Sequence, residues 1–518
     1  GTYRNESGTF KCQIAMCKGT GCQASGEIPL KTKFDQVIKE KGLEKDIHLI
    51  ETGCRGFCEM GPIIEIFPQK IFYVRVTPDH VEDIINKTIL NGEIINELAF
   101  DNTPYADEIG FYKKQTRRVL GESGMIDAEN INDAVAAGSY FGLKRCLFGM
   151  TPAEVVDEVK KAGLRGRGGG GFLTGIKWQL TAKQEEPVKY VVCNADEGDP
   201  GAFMDRSLLE GDPHKVIEGM AIAAYAVGAQ EGYVYVRAEY PLAIQRLKEA
   251  IAQAMEVGFL GENIMGKGFN FTLKIAQGAG AFVCGEESAL IASIEGKRGM
   301  PTPKPPFPAE RGLFDKPTNI NNVETYGSVP HILKNGWQWY ATLGTENSRG
   351  TKIFALSGKI KNTGLVEVPM GITLREIIFD IGGGIKDGKK FKAAQIGGPS
   401  GGCLTEEHLD MPMDYDSLQR AGAMVGSGGL VVLDETTCMV EISRYFMSFT
   451  QDESCGKCIP CRVGTKQMLE IMEKIVAGDG TMDDLKTLEE LAVVVKNASL
   501  CGLGKTAPNP ILSTIKYF

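Results

Sequence analysis

Three cysteines at two-residue spacing, Cys455-Gly-Lys-Cys458-Ile-Pro-Cys461, restrict what this chain can fold into more than any other feature. Thiolates so spaced wrap three corners of a cubane iron–sulfur cluster, and a fourth ligand arrives from elsewhere. Cys501, in Ser499-Leu500-Cys501-Gly502-Leu503-Gly504, is the candidate. Gly456, Gly502 and Gly504 let backbone bend around the cluster and turn N–H groups toward its sulfurs. The alternatives are a zinc site, which usually wants two separated Cys-x2-Cys pairs, and a cluster of plain core cysteines. The spacing favours one [4Fe–4S] cluster on Cys455, Cys458, Cys461 and Cys501.

A second group, Cys12, Cys17, Cys22, Cys54 and Cys58, lies near the N-terminus. Cys17-x4-Cys22 and Cys54-x3-Cys58 each follow a β-like run, and each loop holds a glycine that lets it curl over a flat [2Fe–2S] rhomb. Cys12-x4-Cys17 has the same spacing, so the choice is not forced. Cys12 falls inside the expected strand, facing core or solvent, and the expected ligands are Cys17, Cys22, Cys54 and Cys58. The isolated Cys146, Cys193, Cys284, Cys403 and Cys438 read as small buried hydrophobes. The opening GTYRNESGTF has no apolar leader, and the longest apolar run, 220–229, is half a membrane span. The expectation is a cytoplasmic chain without membrane insertion, whose 14 cysteines are not disulfides. A net charge of −9 argues against nucleic-acid binding, since no positive excess exists to neutralise phosphates.

Periodicity divides the chain into an α/β multidomain order. Residues 1–100 carry β-like runs at 10–16, 48–50, 63–67 and 71–76, the last two spaced as a hairpin. Helical stretches are expected at 30–41 and from Pro78 to Ile89. That order suggests a small thioredoxin-like [2Fe–2S] domain. Residues 101–150 read as a connecting segment with a helix or two. Residues 151–335 alternate helices with buried strands at 190–193 and 233–237, as an α/β domain does. Within 336–435, short β runs at 352–358, 365–368, 393–396 and 429–433 surround one helix at 374–379, which suggests a β-grasp-like insert. From 436 to 518 helices dominate. Met468, Met472 and Ile475 share one face and Leu485, Leu488 and Ala492 another, a small bundle.

The 64 glycines among 518 residues exceed the usual ~7%. Many gather in Gly163-Leu-Arg-Gly-Arg-Gly-Gly-Gly-Gly-Phe172. Its Gly166–Gly171 stretch matches the dinucleotide fingerprint in form, but a helix precedes it where a strand should. No Lys-Ser/Thr ends it, so it is not a P-loop either. What remains is a loop whose bare N–H groups and Arg side chains could bind phosphate, with Phe172 to stack and Lys177 to add charge. Asn194-Ala-Asp196-Glu197-Gly-Asp199 follows a strand's C-terminal end, where polar side chains commonly line a ligand crevice. Gly278-Ala-Gly-Ala-Phe282-Val-Cys-Gly285-Glu286-Glu287 leads into a helix. There the carboxylates either bind ligand or simply face the helix dipole.

GLRGRGGGGF, CNADEGDPG, GAGAFVCGEE, INNVET and SCGKCIPCRVG together, in this order, resemble the flavoprotein subunit of NADH:quinone oxidoreductase and its soluble relatives. Those relatives include subunits of NAD-linked formate dehydrogenases and NAD-dependent [FeFe]-hydrogenases, some electron-bifurcating. The resemblance spans almost the whole chain. It implies an SLBB-like β-grasp domain, FMN, NAD(H), one [4Fe–4S] and one [2Fe–2S]. By the same resemblance Gly166, Arg167, Gly168, Gly169, Lys177, Asn194, Asp196, Gly285, Glu286, Asn321 and Asn322 surround FMN. Phe172, Glu197, Asp199, Glu287, Lys304 and Phe307 face the nicotinamide nucleotide, with Phe282 at the boundary and Pro305-Pro306-Phe307 as a wall beside the adenine. Hydride transfer itself needs no catalytic side chain, so Glu197 and Glu287 orient. The sequence departs from the family at Gly170, often Ala; at Phe282, often Tyr; and at Gly198-Asp199, often Ser-Glu. The fused N-terminal domain and GDPGAFMDR look most like the beta subunit of trimeric [FeFe]-hydrogenases. Such subunits often continue into a tail with two further [4Fe–4S] clusters; this sequence stops at Tyr517-Phe518 before any such tail, so either it is shortened or that part is absent. The implied partners are a catalytic hydrogenase or formate dehydrogenase subunit, a small [2Fe–2S] subunit and ferredoxin.

Overall fold

The computed structural model describes residues 4–5 and 8–518, with side chains from Phe10 onward. The N-terminal part is built on a four-stranded sheet in the order Ile47–Thr52, Cys12–Cys17, Ile64–Phe67, Ile71–Tyr73. Strand Cys12–Cys17 pairs parallel with Ile47–Thr52 and antiparallel with Ile64–Phe67. A parallel neighbour demands a crossover, and helix Glu27–Glu40 supplies it. Leu30, Phe34, Val37 and Ile38 recur at helical spacing and bury one face of that helix. The expected single helix after Thr77 is a capped turn at Pro78–His80, one helical turn at Val81–Asp83 and wider π-type turns at Ile84–Leu90.

The central part holds a parallel four-stranded sheet, ordered Thr318–Asn322, Tyr190–Ala195, Glu231–Arg237, Thr272–Gly278. Helix Pro152–Ala162 starts where its sequence says it should. Thr151 and Glu154 form a reciprocal capping box, Pro152 opens the first turn, and Gly163 closes the helix at φ 69°. Helix Pro213–Val227 packs buried along nearly its whole length. Strand Thr318–Asn322 carries no periodicity that sequence reading could use, because its buried asparagines find partners side-on. Asn319 Nδ2 donates to Asn321 Oδ1 at 3.0 Å and to the Tyr326 hydroxyl at 3.2 Å.

The third part is a five-stranded mixed sheet, Gly364–Pro369, Thr351–Gly358, Gly429–Asp434, Phe391–Ile396, Gly402–Leu404. The fourth consists of helices Met439–Asp452, Ile459–Val476, Met482–Ala498, Gly502–Thr506 and Asn509–Tyr517. There Met468, Met472, Leu488 and Ala492 share one buried core, as their spacing predicts.

These parts are not beads on a string. Cys17, Cys22 and Phe57 share a core with Phe354 and Val366 of the mixed sheet. Phe57 also stacks on Phe111 at 4.3 Å. Arg246, fully buried, donates to the carbonyls of Glu210 and Thr52, and Lys18 pairs with Glu51 at 3.0 Å and Glu129 at 3.1 Å. Gly53 and Gly211 meet so closely that a Cβ on Gly53 would lie 2.0 Å from Gly211 Cα. Among the isolated cysteines, Cys146, Cys193, Cys284 and Cys403 are buried as expected, but Cys438 is exposed. It precedes helix Met439–Asp452, whose buried positions begin one residue later at Met439.

Candidate functional site

The C-terminal ends of the parallel strands open into a cleft of about 560 Å³, within the ~300–1,000 Å³ usual for a ligand site. The glycine loop forms one wall with Gly166, Gly168, Gly169, Gly170 and Gly171. Gly169 and Gly171 adopt φ of 124° and 62°, and a Cβ on Gly171 would strike the Tyr415 ring at 2.6 Å. Gly170 has nothing within 4 Å of such an atom, so a methyl group fits there.

The arginines of this loop do not enter the cleft. Arg167, 1% exposed, donates to the carbonyls of Thr351, Arg165 and Arg349 and to the hydroxyls of Tyr340 and Tyr415. Arg165 lies 4.2 Å over the Tyr415 ring and donates to the Gly171 carbonyl at 2.6 Å. The guanidinium forks satisfy these carbonyls and clamp the loop to the mixed sheet. The expectation of Arg side chains on phosphate is corrected accordingly; of Arg167, the structure brings only the flanking glycines to the cleft. Phe307, 53% exposed, also lies outside the cleft wall, whereas Phe172, 56% exposed, stands on it.

The remaining expected residues converge. Lys177 donates to Glu287 and to the Ile320 carbonyl, and Lys304 pairs with Glu286 at 2.9 Å and Glu287 at 3.4 Å. Burial pushes the Glu287 carboxyl up, but Lys177 and Lys304 outweigh it and hold the group below its ordinary range. Glu286 caps helix Glu287–Ile294 by accepting the N–H groups of Ser288 and Ala289, so the helix-end reading holds for it. Asn194 Nδ2 donates to the Gly285 carbonyl at 2.8 Å, which ties two walls together. Asn321 accepts from Trp178 Nε1 at 2.9 Å. Asn322 caps helix Val323–Asn335 through Oδ1. Phe282 donates its N–H to Glu453 at 2.8 Å. Asp199 accepts from the Ser427 hydroxyl, and burial pushes its carboxyl up to about 6. Asp196 has both carboxylate oxygens buried without a partner, and burial, against Arg237, raises it to about 7. Glu197 accepts the N–H groups of Asp205 and Arg206, each at 3.0 Å.

Sequence reading missed part of the wall. Asp205, Gly397, Ser400, Met424, Gly426, Ser427, Gly502, Leu503 and Thr506 all line the cleft. The only signal was local, in the glycine strings 397–402 and 426–429.

Beside the cleft, Cys455, Cys458, Cys461 and Cys501 line one cavity. Cys458 and Cys501 precede the first turns of helices Ile459–Val476 and Gly502–Thr506. Burial pushes the Cys461 thiol up to about 11; the Ser454 hydroxyl, 3.2 Å from its sulfur, opposes this, and the other three cysteines reinforce it. Val283 and Leu503 line both this cavity and the cleft. In the N-terminal part, the Cys17 and Cys22 sulfurs lie 3.1 Å apart, and those of Cys54 and Cys58 3.7 Å. Cys12 stands apart from that set, buried with Leu30 and Phe34, where burial raises its thiol to about 12. Among the described residues, no group of three or more His, Cys, Asp or Glu is arranged to hold a single metal ion.

The motifs occupy matched family segments. Residues 159–331 match the Nuo51 FMN-binding domain, 441–518 the NADH-ubiquinone oxidoreductase-F iron-sulfur binding region, 3–89 the thioredoxin-like [2Fe-2S] ferredoxin and 353–404 the SLBB domain. The NADP-reducing hydrogenase subunit HndC of Solidesulfovibrio fructosivorans is 59% identical over 78% of this chain and 82% of its own length. The chain belongs to the NuoF-like family of FMN-binding flavoproteins. A further relative, from the NADH-quinone oxidoreductase of Escherichia coli, is 46% identical over 73% of this chain and 86% of its own. A solved NAD+-reducing [NiFe]-hydrogenase in the H2-reduced state superposes with a TM-score of 0.70 and 31% identity, covering 98% of this chain and 83% of that one.

As a NuoF-like flavoprotein the chain carries FMN, one [4Fe–4S] and one [2Fe–2S]. The residues present fit these groups. The cleft offers a glycine wall open to close approach and, in Asp196, two buried oxygens in want of a donor. The thiol sets supply soft ligands in pairs and triplets.

Proposed function

We propose that this chain is an NADH:acceptor oxidoreductase (diaphorase) subunit that works within an electron-bifurcating [FeFe]-hydrogenase complex coupling H2, ferredoxin and NAD. One observation supports the reading above others: Val283 and Leu503 stand between the cleft and the four-cysteine cavity. The cleft and the four-cysteine cavity thus share lining side chains. Bound FMN supplies the exchange between a two-electron hydride and single electrons. The chain's own residues do the rest. Glu287, kept ionised by Lys177 and Lys304, orients the nucleotide through its hydroxyl or carboxamide groups. Glu197 fixes the cleft floor to helix Met204–Gly211. Phe172 offers an aromatic face at the rim. Acidic groups around the nucleotide would repel a 2′-phosphate, which favours NADH over NADPH.

The fused [2Fe–2S] domain supports the hydrogenase reading over a formate dehydrogenase or a respiratory NADH dehydrogenase. The partners in that reading are a catalytic subunit, a small [2Fe–2S] subunit and ferredoxin, and its compartment is the cytoplasm. No helix among the described residues is long and apolar enough to cross a membrane. The anaerobically prepared chain should reduce artificial dyes with NADH. With its partner subunits, NAD+ reduction by H2 should require ferredoxin. No dye reduction by NADH, or H2-driven turnover indifferent to ferredoxin, would defeat the respective halves of the proposal.

A further inference from the structure

Helix Met204–Gly211 joins two sites. Its first turn lies at the cleft floor, where Glu197 accepts the N–H groups of Asp205 and Arg206, each at 3.0 Å. Its last turn reaches the cysteine pairs of the N-terminal part. Gly211 meets Gly53, the residue before Cys54. Glu210, one residue earlier, grips the loop between Cys17 and Cys22. Its Oε2 accepts the Thr20 N–H at 3.0 Å, and its Oε1 accepts the Thr20 hydroxyl, across 190 residues of sequence.

Glu210 is 1% exposed. A carboxylate that deep needs donors, and Thr20 supplies one to each oxygen, from backbone and from side chain. Arg206 compensates the charge in part, since its Nε stands 3.9 Å from Oε1, beyond hydrogen-bond length. Burial raises the Glu210 carboxyl; Thr20 and Arg206 oppose this, and Cys54 reinforces it. Other charged groups around the cysteines have partners of their own. Lys18 pairs with Glu51 and Glu129, and Arg55 with Glu65. Arg117 donates to the carbonyls of Arg55 and Leu120.

The reduction potential of an iron–sulfur cluster follows its net charge, the hydrogen bonds to its sulfurs and its exposure to water. A negative charge held in a low-dielectric neighbourhood opposes the arrival of an electron. We propose that ionised Glu210 sets the reduction potential of the [2Fe–2S] cluster, holding it lower than a neutral side chain in the same place would. One electron enters the cluster and one leaves; no bond forms or breaks, and Glu210 keeps its charge throughout. Glu210 is thus a positioning residue that acts through Thr20 and through space. The inference rests on Cys17, Cys22, Cys54 and Cys58 as the ligands of that cluster.

A redox titration of the cluster-loaded full chain, followed by the electron paramagnetic resonance signal of the reduced [2Fe–2S], tests it. Glu210→Gln keeps an acceptor for the Thr20 N–H and removes the charge. Its [2Fe–2S] midpoint should rise, while the [4Fe–4S] midpoint of the same sample stays where it is. Glu210→Asp keeps the charge but withdraws it by one methylene, so its midpoint should fall between those of wild type and Glu210→Gln. An unshifted or lowered midpoint in Glu210→Gln overturns the proposal. So does a Glu210→Asp midpoint at or above the Glu210→Gln value, or an equal shift of both clusters. If Glu210→Gln does not retain the [2Fe–2S], Glu210→Asp decides alone: a rise above wild type supports the proposal, and an unchanged or lower value overturns it. Cys22→Ser separates the two readings. An unaltered [2Fe–2S] signal there sinks the ligand set and the inference with it. An altered signal, beside an unshifted Glu210→Gln midpoint, defeats the inference alone.

Discussion

Glu287 carries a definite charge because two lysines hold it there, Lys177 and Lys304. Replacing it by Gln keeps the shape, leaves both ammonium groups short of a counter-charge and, on the proposed role of Glu287, weakens one charge-assisted hydrogen bond to the nucleotide. Such a bond is worth ~1.5–3 kcal/mol, so the NADH KM of Glu287→Gln should rise roughly 10- to 100-fold with FMN content unchanged. An unaltered KM would remove Glu287 from the nucleotide's contacts. Glu218 illustrates the opposite case, a carboxylate that burial discourages. It is 1% exposed, accepts the Leu143 N–H at 3.0 Å, and burial, against backbone donors, raises it to about 7. A carboxyl raised on folding stabilises fully below its unfolded value, near 4.5, and that contribution is lost as pH climbs through 7. The loss is on the order of 3 kcal/mol. Relative to wild type, Glu218→Gln should therefore gain thermal stability between about pH 5 and about pH 8. A gap between the two melting curves that stays constant over that range would mean Glu218 does not titrate there.

At the scale of elements, one close contact between the N-terminal and central parts is glycine against glycine. Gly53 follows strand Ile47–Thr52 and Gly211 ends helix Met204–Gly211. A methyl group on Gly53 would need backbone to retreat, and overpacking of that kind costs ~1–3 kcal/mol. Gly53→Ala should lower the unfolding midpoint and detach the [2Fe–2S] domain first, which calorimetry would register as a separated early transition. A single unshifted transition would show that the seam yields freely. Much of this architecture was legible in the sequence. The buried strands expected at 190–193 and 233–237 and the hairpin expected at 63–67 and 71–76 follow from local spacing and correspond to Tyr190–Ala195, Glu231–Arg237 and the Ile64–Phe67/Ile71–Tyr73 pair. Strand Thr318–Asn322 did not, because asparagine reads as a turn-former until tertiary partners satisfy it. Cys438 was misread because hydrophobicity alone places a cysteine inside, while an exposed helix start leaves it out.

Across the whole molecule, the Cys455-x2-Cys458-x2-Cys461 run and the glycine loop were readable because their spacing is local. Ser427 was not, since it meets Asp199 from 228 residues away. The same long-range closure makes Cys501 pivotal. It brings the last helices to the four-cysteine cavity, and its neighbours Gly502 and Leu503 reach the cleft. Cys501→Ser should abolish the electron paramagnetic resonance signal of the reduced [4Fe–4S] cluster while NADH still bleaches the flavin. A full-strength signal would mean that another side chain serves as the fourth ligand. Val283 and Leu503 have a consequence for anyone re-engineering this protein. They are a party wall, common property of two tenants. A bulkier or smaller residue there alters the volume of both rooms at once, so neither redox centre can be retuned through that partition in isolation, and a transplant of either module must bring the wall along.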